Sequence, residues 1–576
     1  MAFLLAWMDW SGRSVSALQG EALKRRASAR TQLPGTMRSG PNWCLHVSPQ
    51  RDCEAPVLIE IPAPDDDRSL LALDRAGNVA DAPSHGEAVD PETLLLDGTA
   101  CAAIRLWPLR ETLQLTRDPL GQRQLVYALI PGGLLVASGE AVLRAHPAVS
   151  SELDEDYLAA YLACVSPAPE ETAFRAIRSV APGESLVVSR EGVLGQRTRL
   201  EPDWSWRGRR DQGIVEQFRE LLGNSVQRAC RGARRVGISL SAGMDSSSVA
   251  ALAAALPKSR QPRLVGVCYG FDDRPETDER AMVRRLGQAL DIEVRDVAVD
   301  AMHPLAAEYR RPVSPDTPVA SPFREFKQAA YLELEDAGVD IVLDGHFGDH
   351  LVPNPTDLIS DSAAARRLKP LGRALWRLYR RAGINGLIRY SAWRTQGPSL
   401  SGHNDHVTLQ WLREPWRSRL RDRLESEVRE FRLFPRPRQA HYALNAYAGL
   451  SGAVEHYYAQ QHAIEPRSPF RDLSLTRWCL SAPSDLHHRH GMRKWLLREA
   501  MRGLLPDEIR LRPKGSSLAP FLAHAQQHRQ AELAQLRSLS QAWTGRLCSG
   551  APGQDDALRV WLESYLGLWL DATAKA

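Results

Sequence analysis

Arg235-Val236-Gly237-Ile238-Ser239-Leu240 reads as a short apolar strand that runs directly into Ser241-Ala242-Gly243-Met244-Asp245-Ser246-Ser247-Ser248. Val249-Ala250-Ala251-Leu252-Ala253-Ala254-Ala255-Leu256 then has the composition of a helix. A strand, a small-residue turn and a helix start together make an anion site. The turn lets backbone N–H groups approach phosphate oxygens, the serine hydroxyls add donors, and the helix N-terminus adds positive potential. Asp245 inside such a loop would be repelled by phosphate unless a cation lay between them, which points to Mg²⁺. The plain alternative is a serine cap with an incidental aspartate. A nucleophile elbow also competes, but Gly237-Ile238-Ser239-Leu240-Ser241 lacks the second glycine of that turn.

Working outward, Leu264-Val265-Gly266-Val267-Cys268-Tyr269 and Val339-Asp340-Ile341-Val342-Leu343 are further short apolar runs, each bounded by helical stretches. This rhythm predicts an α/β domain with a parallel, doubly wound sheet whose ligands bind at the carboxyl ends of its strands. Upstream, residues 3–8, 57–61, 102–107, 112–116, 125–129, 134–137 and 185–189 read as strands between Gly and Pro turns. Pro202 and Arg207-Gly208-Arg209-Arg210-Asp211 make a linker, so a sheet-rich domain over 1–205 precedes the α/β domain over 206–576. Residues 362–404 contain no acid, while Arg366, Arg367, Lys369, Arg373, Arg377, Arg380, Arg381, Arg389 and Arg394 interleave with Leu368, Leu371, Leu375, Trp376, Leu378 and Tyr379. A basic helical segment over about 362–440 follows. Its plain reading is a solvated helix face packed on the second domain, and its functional reading is a dock for an acidic peptide or partner.

The chain of 576 residues is 43% hydrophobic and 25% charged with a formal charge of +4, an ordinary globular composition. That excludes fibrous and disordered classes and gives no general reason to invoke nucleic acid. No window approaches the ~18 uninterrupted apolar residues of a membrane span. The apolar start Phe3-Leu4-Leu5-Ala6-Trp7-Met8 has no basic residue before it and ends at Asp9, unlike a signal peptide. The expected compartment is the cytoplasm. Eight cysteines without a C-x-x-C pair argue against a zinc site or a disulfide framework. Among 73 basic residues only Lys24, Lys258, Lys327, Lys369, Lys494, Lys514 and Lys575 are lysine, so each is a candidate for chemistry that arginine does not serve.

The loop string resembles the S-G-G-x-D-S pyrophosphate loop (PP-loop) of the N-type ATP pyrophosphatases, in particular the asparagine synthetase superfamily. The likeness extends over nearly the whole chain. Arg117-Asp118-Pro119-Leu120-Gly121, Leu134 to Glu140, Leu153 to Tyr157 and Phe174 to Gly183 look like the second half of the family's Ntn-hydrolase-like, class II glutaminase domain. Glu465-Pro466-Arg467-Ser468-Pro469-Phe470-Arg471-Asp472 resembles its E-x-R-x-P-F-x-D segment, and Met492 to Ala500 with Leu511-Arg512-Pro513-Lys514-Gly515 resemble its closing lysine motifs.

The resemblance implies an ATP-dependent ligase that adenylates a carboxylate, releases pyrophosphate and joins the acyl group to an amine. ATP would be held by Ser239, Leu240, Ser241, Gly243, Asp245, Ser246 and Ser247, with Tyr269, Asp344, Gly345 and Lys494. Mg²⁺ would lie on Asp245 and Asp349, and Lys514 would stabilise the acylation transition state. Lys494 and Arg498, four apart, would share a helical face beside pyrophosphate. His346 occupies the slot that is Glu in asparagine synthetases and Tyr in β-lactam synthetases; it could accept a proton from the attacking ammonium or simply pack. Glu455 is the candidate for a carboxylate that orients a base. The run His487-His488-Arg489-His490 reads as a solvated loop.

One departure matters most. The family's amidotransferase uses the thiol of the residue after the initiator Met, and here that residue is Ala2. Arg38-Ser39-Gly40-Pro41-Asn42 also only partly matches the family's R-G-P-D turn. The first domain is then expected to be a scaffold, and the amine must come from elsewhere. The chain resembles the lasso-peptide macrolactam synthetases best, which implies a precursor peptide as substrate, with a leader-peptide-recognition protein and a cysteine leader peptidase as partners. A β-lactam-synthetase-like closure of a small amino acid, an ammonia-dependent asparagine synthetase and a catalytically silent scaffold are the alternatives.

Overall fold

The computed structural model of the chain describes residues 2–11, 35–49, 58–61, 68–75, 100–198, 200–206, 213–259, 261–302, 323–351, 408–441, 455–482, 486–489, 492–513, 526–552 and 556–575, with isolated positions between them. Lys514, His490, the linker residues 207–210 and most of the basic run after 362 lie outside the described residues.

The first domain is a sandwich of two antiparallel sheets. One has the order β10 (Arg178–Ser179), β8 (Val126–Ile130), β9 (Gly133–Ala137), β1 (Ala2–Asp9), β3 (Trp43–Pro49) and β2 (Thr36–Ser39). The other has the order β12 (Gly192–Arg197), β11 (Glu184–Ser189), β7 (Thr112–Arg117), β6 (Cys101–Trp107), β5 (Ser69–Arg75) and β4 (Leu58–Ile61). Side chains alternate across a strand, and β1 uses both faces. Leu4, Ala6 and Met8 join Leu45, Ile104, Leu115 and Leu186 between the sheets. Phe3, Leu5 and Trp7 point the other way, under a layer of helices. The uninterrupted apolar start of the chain is therefore a strand covered on both sides.

In the second domain β15 (Glu293–Ala298), β14 (Arg263–Gly270), β13 (Arg235–Ser239), β16 (Ile341–Leu343) and β17 (Glu465–Arg467) form a parallel sheet in that order. Helices α1 (Gly213–Cys230), α2 (Met244–Ala254) and α3 (Arg280–Leu290) share a core on one face. Helix α4 (Arg324–Asp336) packs Phe326, Ala330, Tyr331 and Leu334 on the other. The sheet is doubly wound, as the strand and helix rhythm predicts. Chain order reverses between β13 and β16, so the crevice at their carboxyl ends is where such a sheet binds ligands.

Beyond the basic run after 362, the helix Trp416–Glu430 buries Leu420, Leu424 and Val428 in the core shared with the first domain. Arg423 from this helix pairs with Glu171 at 3.0 Å. After α5 (Trp495–Ala500), two long helices, α6 (Gln530–Leu547) and α7 (Ala557–Lys575), close the chain. Leu547, Leu566 and Trp569 join Phe3, Trp7 and Phe174, with the Trp569 and Phe174 rings 5.7 Å apart. Among the described residues no helix is long and apolar enough to cross a membrane.

Candidate active site

The phosphate loop leaves β13 at Ser239, and Leu240 is pinned by its N–H to Val267 O at 2.8 Å. Its shape is fixed by its own serines. Ser241 N–H donates to Ser246 Oγ at 3.1 Å, Gly243 N–H donates to Ser241 Oγ at 3.2 Å, and Ser247 Oγ donates to Ser241 O at 3.1 Å. The extended Gly243 then opens α2, so the first turn of a buried helix faces the crevice. Glu279, unnoticed in the sequence, binds the loop from outside. Its Oε2 accepts from Ala242 N–H at 3.0 Å while Oε1 accepts from Arg512 at 2.7 Å, tying the loop to the strand of chain that leads to Lys514.

Asp245 on α2 and Asp349 in the turn after β16 converge on one ammonium. Lys494 Nζ lies on Asp245 Oδ2 and 2.7 Å from Asp349 Oδ1. Burial opposes that ammonium, but the two carboxylates outweigh it and hold the lysine above its ordinary value. The approach requires glycines. A Cβ on Gly348 would stand 2.6 Å from Cγ and Oδ1 of Asp245, and one on Gly345 would stand 2.6 Å from Ser246 N. Between them Phe347 takes φ +76°, a left-handed conformation that costs a bulky residue about 1–3 kcal/mol and is held by its burial. Lys494 is itself left-handed, at φ +54°, just ahead of α5 rather than within it. Arg498 feels the charge of Asp245, and its guanidinium donates to the carbonyls of Arg493, at 2.8 Å, and Arg510. Two hard oxygen donors that already share one cation fit magnesium by donor type.

On the far side of β16, Asp344 lies under His346. It accepts the His346 N–H at 3.1 Å, and the ring Nδ1 stands 3.5 Å from its other oxygen. Burial raises the Asp344 carboxyl, but the hydrogen bonds from His346 and Ser468 and the charge of Lys327 outweigh it and hold the group below the usual range. The imidazole is about half exposed, at the mouth of the crevice. Glu455, the candidate orienting carboxylate, is engaged from α4. Lys327 Nζ and Tyr331 OH, one turn apart on α4, take its two oxygens. Tyr269, at the end of β14, packs on Phe326 at 5.4 Å and belongs with Lys327 and Glu455, whose charges it feels. Lys327 is one of the seven lysines, so its scarcity was the available signal for it. His487, read as part of a solvated loop, is fully buried, and burial drives its imidazole well below the ordinary value.

The site thus has one half made of the serine loop between β13 and α2, two carboxylates that share a cation, and a second half of acids, a lysine and a histidine after β16, on α4 and on helix 455–460. The family model described as asparagine synthase matches residues 217–544, more than half of the chain, and these residues contain both halves. The chain belongs to the asparagine synthase family. As a member of that family it is an ATP-dependent carbon–nitrogen ligase that releases AMP and pyrophosphate. A second model, the glutamine amidotransferase domain, matches residues 96–198, from β6 through β12. The amidase chyE of Penicillium rubens is 24% identical over 481 residues, 71% of this chain and 67% of that protein. The allosteric regulatory enzyme of purine biosynthesis is a similar solved structure at 14% identity and TM-score 0.25, covering 54% of this chain and 82% of its own. The glutamine phosphoribosylpyrophosphate amidotransferase of B. subtilis is another, at 11% identity and TM-score 0.23, covering 65% and 79%.

Within this asparagine synthase family member, Ala2 opens β1, which the match to the glutamine amidotransferase domain, beginning at residue 96, does not reach. Cys44 is buried. It lies across from Trp7 on β3, and burial pushes its thiol up to about 11 against the opposing pull of a hydrogen bond at the Trp7 backbone.

Proposed function

We propose that the protein adenylates an Asp or Glu side-chain carboxylate of a precursor peptide and closes a macrolactam ring with that peptide's N-terminal amine. One feature carries this reading: a serine loop suited to phosphate is joined to a first domain in which, by resemblance, Ala2 stands where glutaminases have their nucleophilic thiol, so the amine is better supplied by the substrate than by glutamine. Ser241, Ser246, Ser247 and the first turn of α2 would hold the departing pyrophosphate, with Lys494 moving from the carboxylates onto it. Asp245 and Asp349 would hold Mg²⁺, which supplies positive charge to the phosphates. A carboxylate oxygen bonds to the α-phosphorus of ATP as the bond to the bridging oxygen breaks. The amine nitrogen then bonds to the acyl carbon, AMP leaves with the C–O electrons, and the ammonium proton passes to His346, whose charge Asp344 stabilises. By resemblance Lys514 assists the charge that builds on the leaving phosphate. Holding both ends of one peptide in the crevice supplies the proximity that ring closure needs.

A leader-peptide-recognition protein and a cysteine leader peptidase are the partners this reading implies. Intramolecular closure of a small amino acid is a second reading, favoured by one contact: the likeness to β-lactam synthetases puts an orienting carboxylate at Glu455, and the Tyr331 phenol sits on it. The two readings part in an assay of AMP and pyrophosphate release from Mg·ATP. The substrates offered are a short peptide with N-terminal Gly and an internal Asp or Glu, a carboxyethyl amino acid, and Asp with ammonia. Peptide-dependent AMP is the expected result. AMP with the carboxyethyl amino acid alone, or with Asp and ammonia alone, would replace the proposal by the corresponding alternative.

A further inference from the structure

Arg123 sits in the turn between β7 and β8 of the first domain, and that turn is rigid. The Asp118 carboxylate accepts the N–H groups of Leu120 at 3.0 Å, Gln122 at 2.9 Å and Arg123 at 3.1 Å, and Arg117 donates to Arg123 O at 2.6 Å and Gly121 O at 2.9 Å. From this base the Arg123 side chain, 1% exposed, reaches out of its own domain. Nη2 meets Glu465 Oε1 at 2.6 Å, Nη1 meets His456 Nε2 at 3.2 Å, and Nε stands 3.7 Å from Asp74 of the first domain. A guanidinium only donates, so His456 accepts through Nε2 and is neutral. Burial, reinforced by the Arg123 charge, keeps it so.

Both distant partners lead into the second half of the active site. His456 is the neighbour of Glu455 on helix 455–460. Glu465 begins β17, and Ser468, the residue directly after that strand, bonds to Asp344 beneath His346. The same first-domain turn also receives Arg471, which donates to Leu120 O at 2.7 Å. A buried ion cluster is a poor way to glue two surfaces, since packed apolar side chains serve at least as well. What a fork of directed hydrogen bonds adds is fixed geometry.

We propose that the first domain positions the amine-accepting half of the synthetase site, and that Arg123 transmits this through two arms, one to the helix of Glu455 and one through β17 to Asp344. The inference rests on the reading of Asp344 and His346 given under the proposed function; Glu455 enters it through Lys327, which it holds and whose charge Asp344 feels. Arg123 touches no substrate; it is a positioning residue.

The test uses the full chain, with Arg123→Gln to break the fork and Arg123→Lys to restore one arm. In Arg123→Gln, pyrophosphate exchange into ATP with the Gly-started peptide stays within about 3-fold of wild type, while ring closure falls by about 10²-fold, as expected for misplaced groups. Arg123→Lys recovers part of that loss. Hydrogen exchange gives a second reading that needs no substrate: amides of 455–460 and 465–468 exchange about 10-fold faster in Arg123→Gln, while those of 244–254 keep the wild-type rate. Equal losses in adenylation and closure would overturn the inference, as would hydrogen exchange that is unchanged at 455–468 or raised throughout the chain. If the wild type closes no ring, the proposed function fails and hydrogen exchange alone decides the role of Arg123.

Discussion

Two glycines set the spacing of the carboxylates, because only an absent side chain lets the turn after β16 lie against Asp245. Gly348→Ala is expected to leave the circular dichroism spectrum native and to reduce ATP-dependent AMP release by about 10²-fold or more, the cost of displacing a group by about an ångström. His346→Ala should behave differently. It removes a proton acceptor from the second step, so ring closure falls by about 10²- to 10⁴-fold while pyrophosphate exchange survives; equal loss of both steps would place His346 in the adenylating half instead. The phosphate loop was legible in the sequence because its chemistry is backbone and hydroxyl chemistry written in consecutive residues. The Glu455 cluster was not, since Lys327 and Tyr331 lie 128 and 124 residues from it and only folding brings them together. Glu279 carried no local sign at all.

At the scale of elements, strands with a buried apolar face were readable and polar edge strands were not. β13, β14 and β16 are apolar and central, whereas β15 carries Glu293, Arg295 and Asp296, and β17 is three residues with a proline. Both sit at the edges of the sheet, where side-chain packing demands least. β17 is held instead by charge. Burial disfavours the Glu465 carboxylate, but Arg467 and Arg123 outweigh it and hold the group well below the usual range. The charged form is thus favoured by folding, so between its folded value and about 4.3 the unfolded chain binds more protons. Its stabilisation is complete above that value and declines as pH falls through the folded one. Glu465→Gln should therefore lower the unfolding free energy by about 3–5 kcal/mol at pH 7, a gap that closes in denaturant titrations only below pH ~4. A gap independent of pH would show that the side chain acts by shape alone.

The whole molecule is less divisible than its two family matches imply. α6 and α7 leave the second domain and pack Leu547, Leu566 and Trp569 against a core that contains β1 of the first. Removing residues 1–205 exposes this apolar face, so the remaining 206–576 is expected to aggregate or to lose its cooperative unfolding transition, scored by light scattering and calorimetry. A soluble remnant with full adenylating activity would mean that the C-terminal helices need no partner. The sequence separated the two domains by composition but did not show this return of the chain, because an amphipathic helix records that it is covered and not by what. The central claim is that one peptide supplies both the activated carboxylate and the amine. The most direct measurement is the mass and N-terminal reactivity of a Gly-started, Asp- or Glu-containing peptide after incubation with the full chain and Mg·ATP. The account predicts a loss of one water together with an N-terminus that no longer reacts with amine reagents; a peptide of unchanged mass with a free amine, while another carboxylate yields AMP, would contradict it.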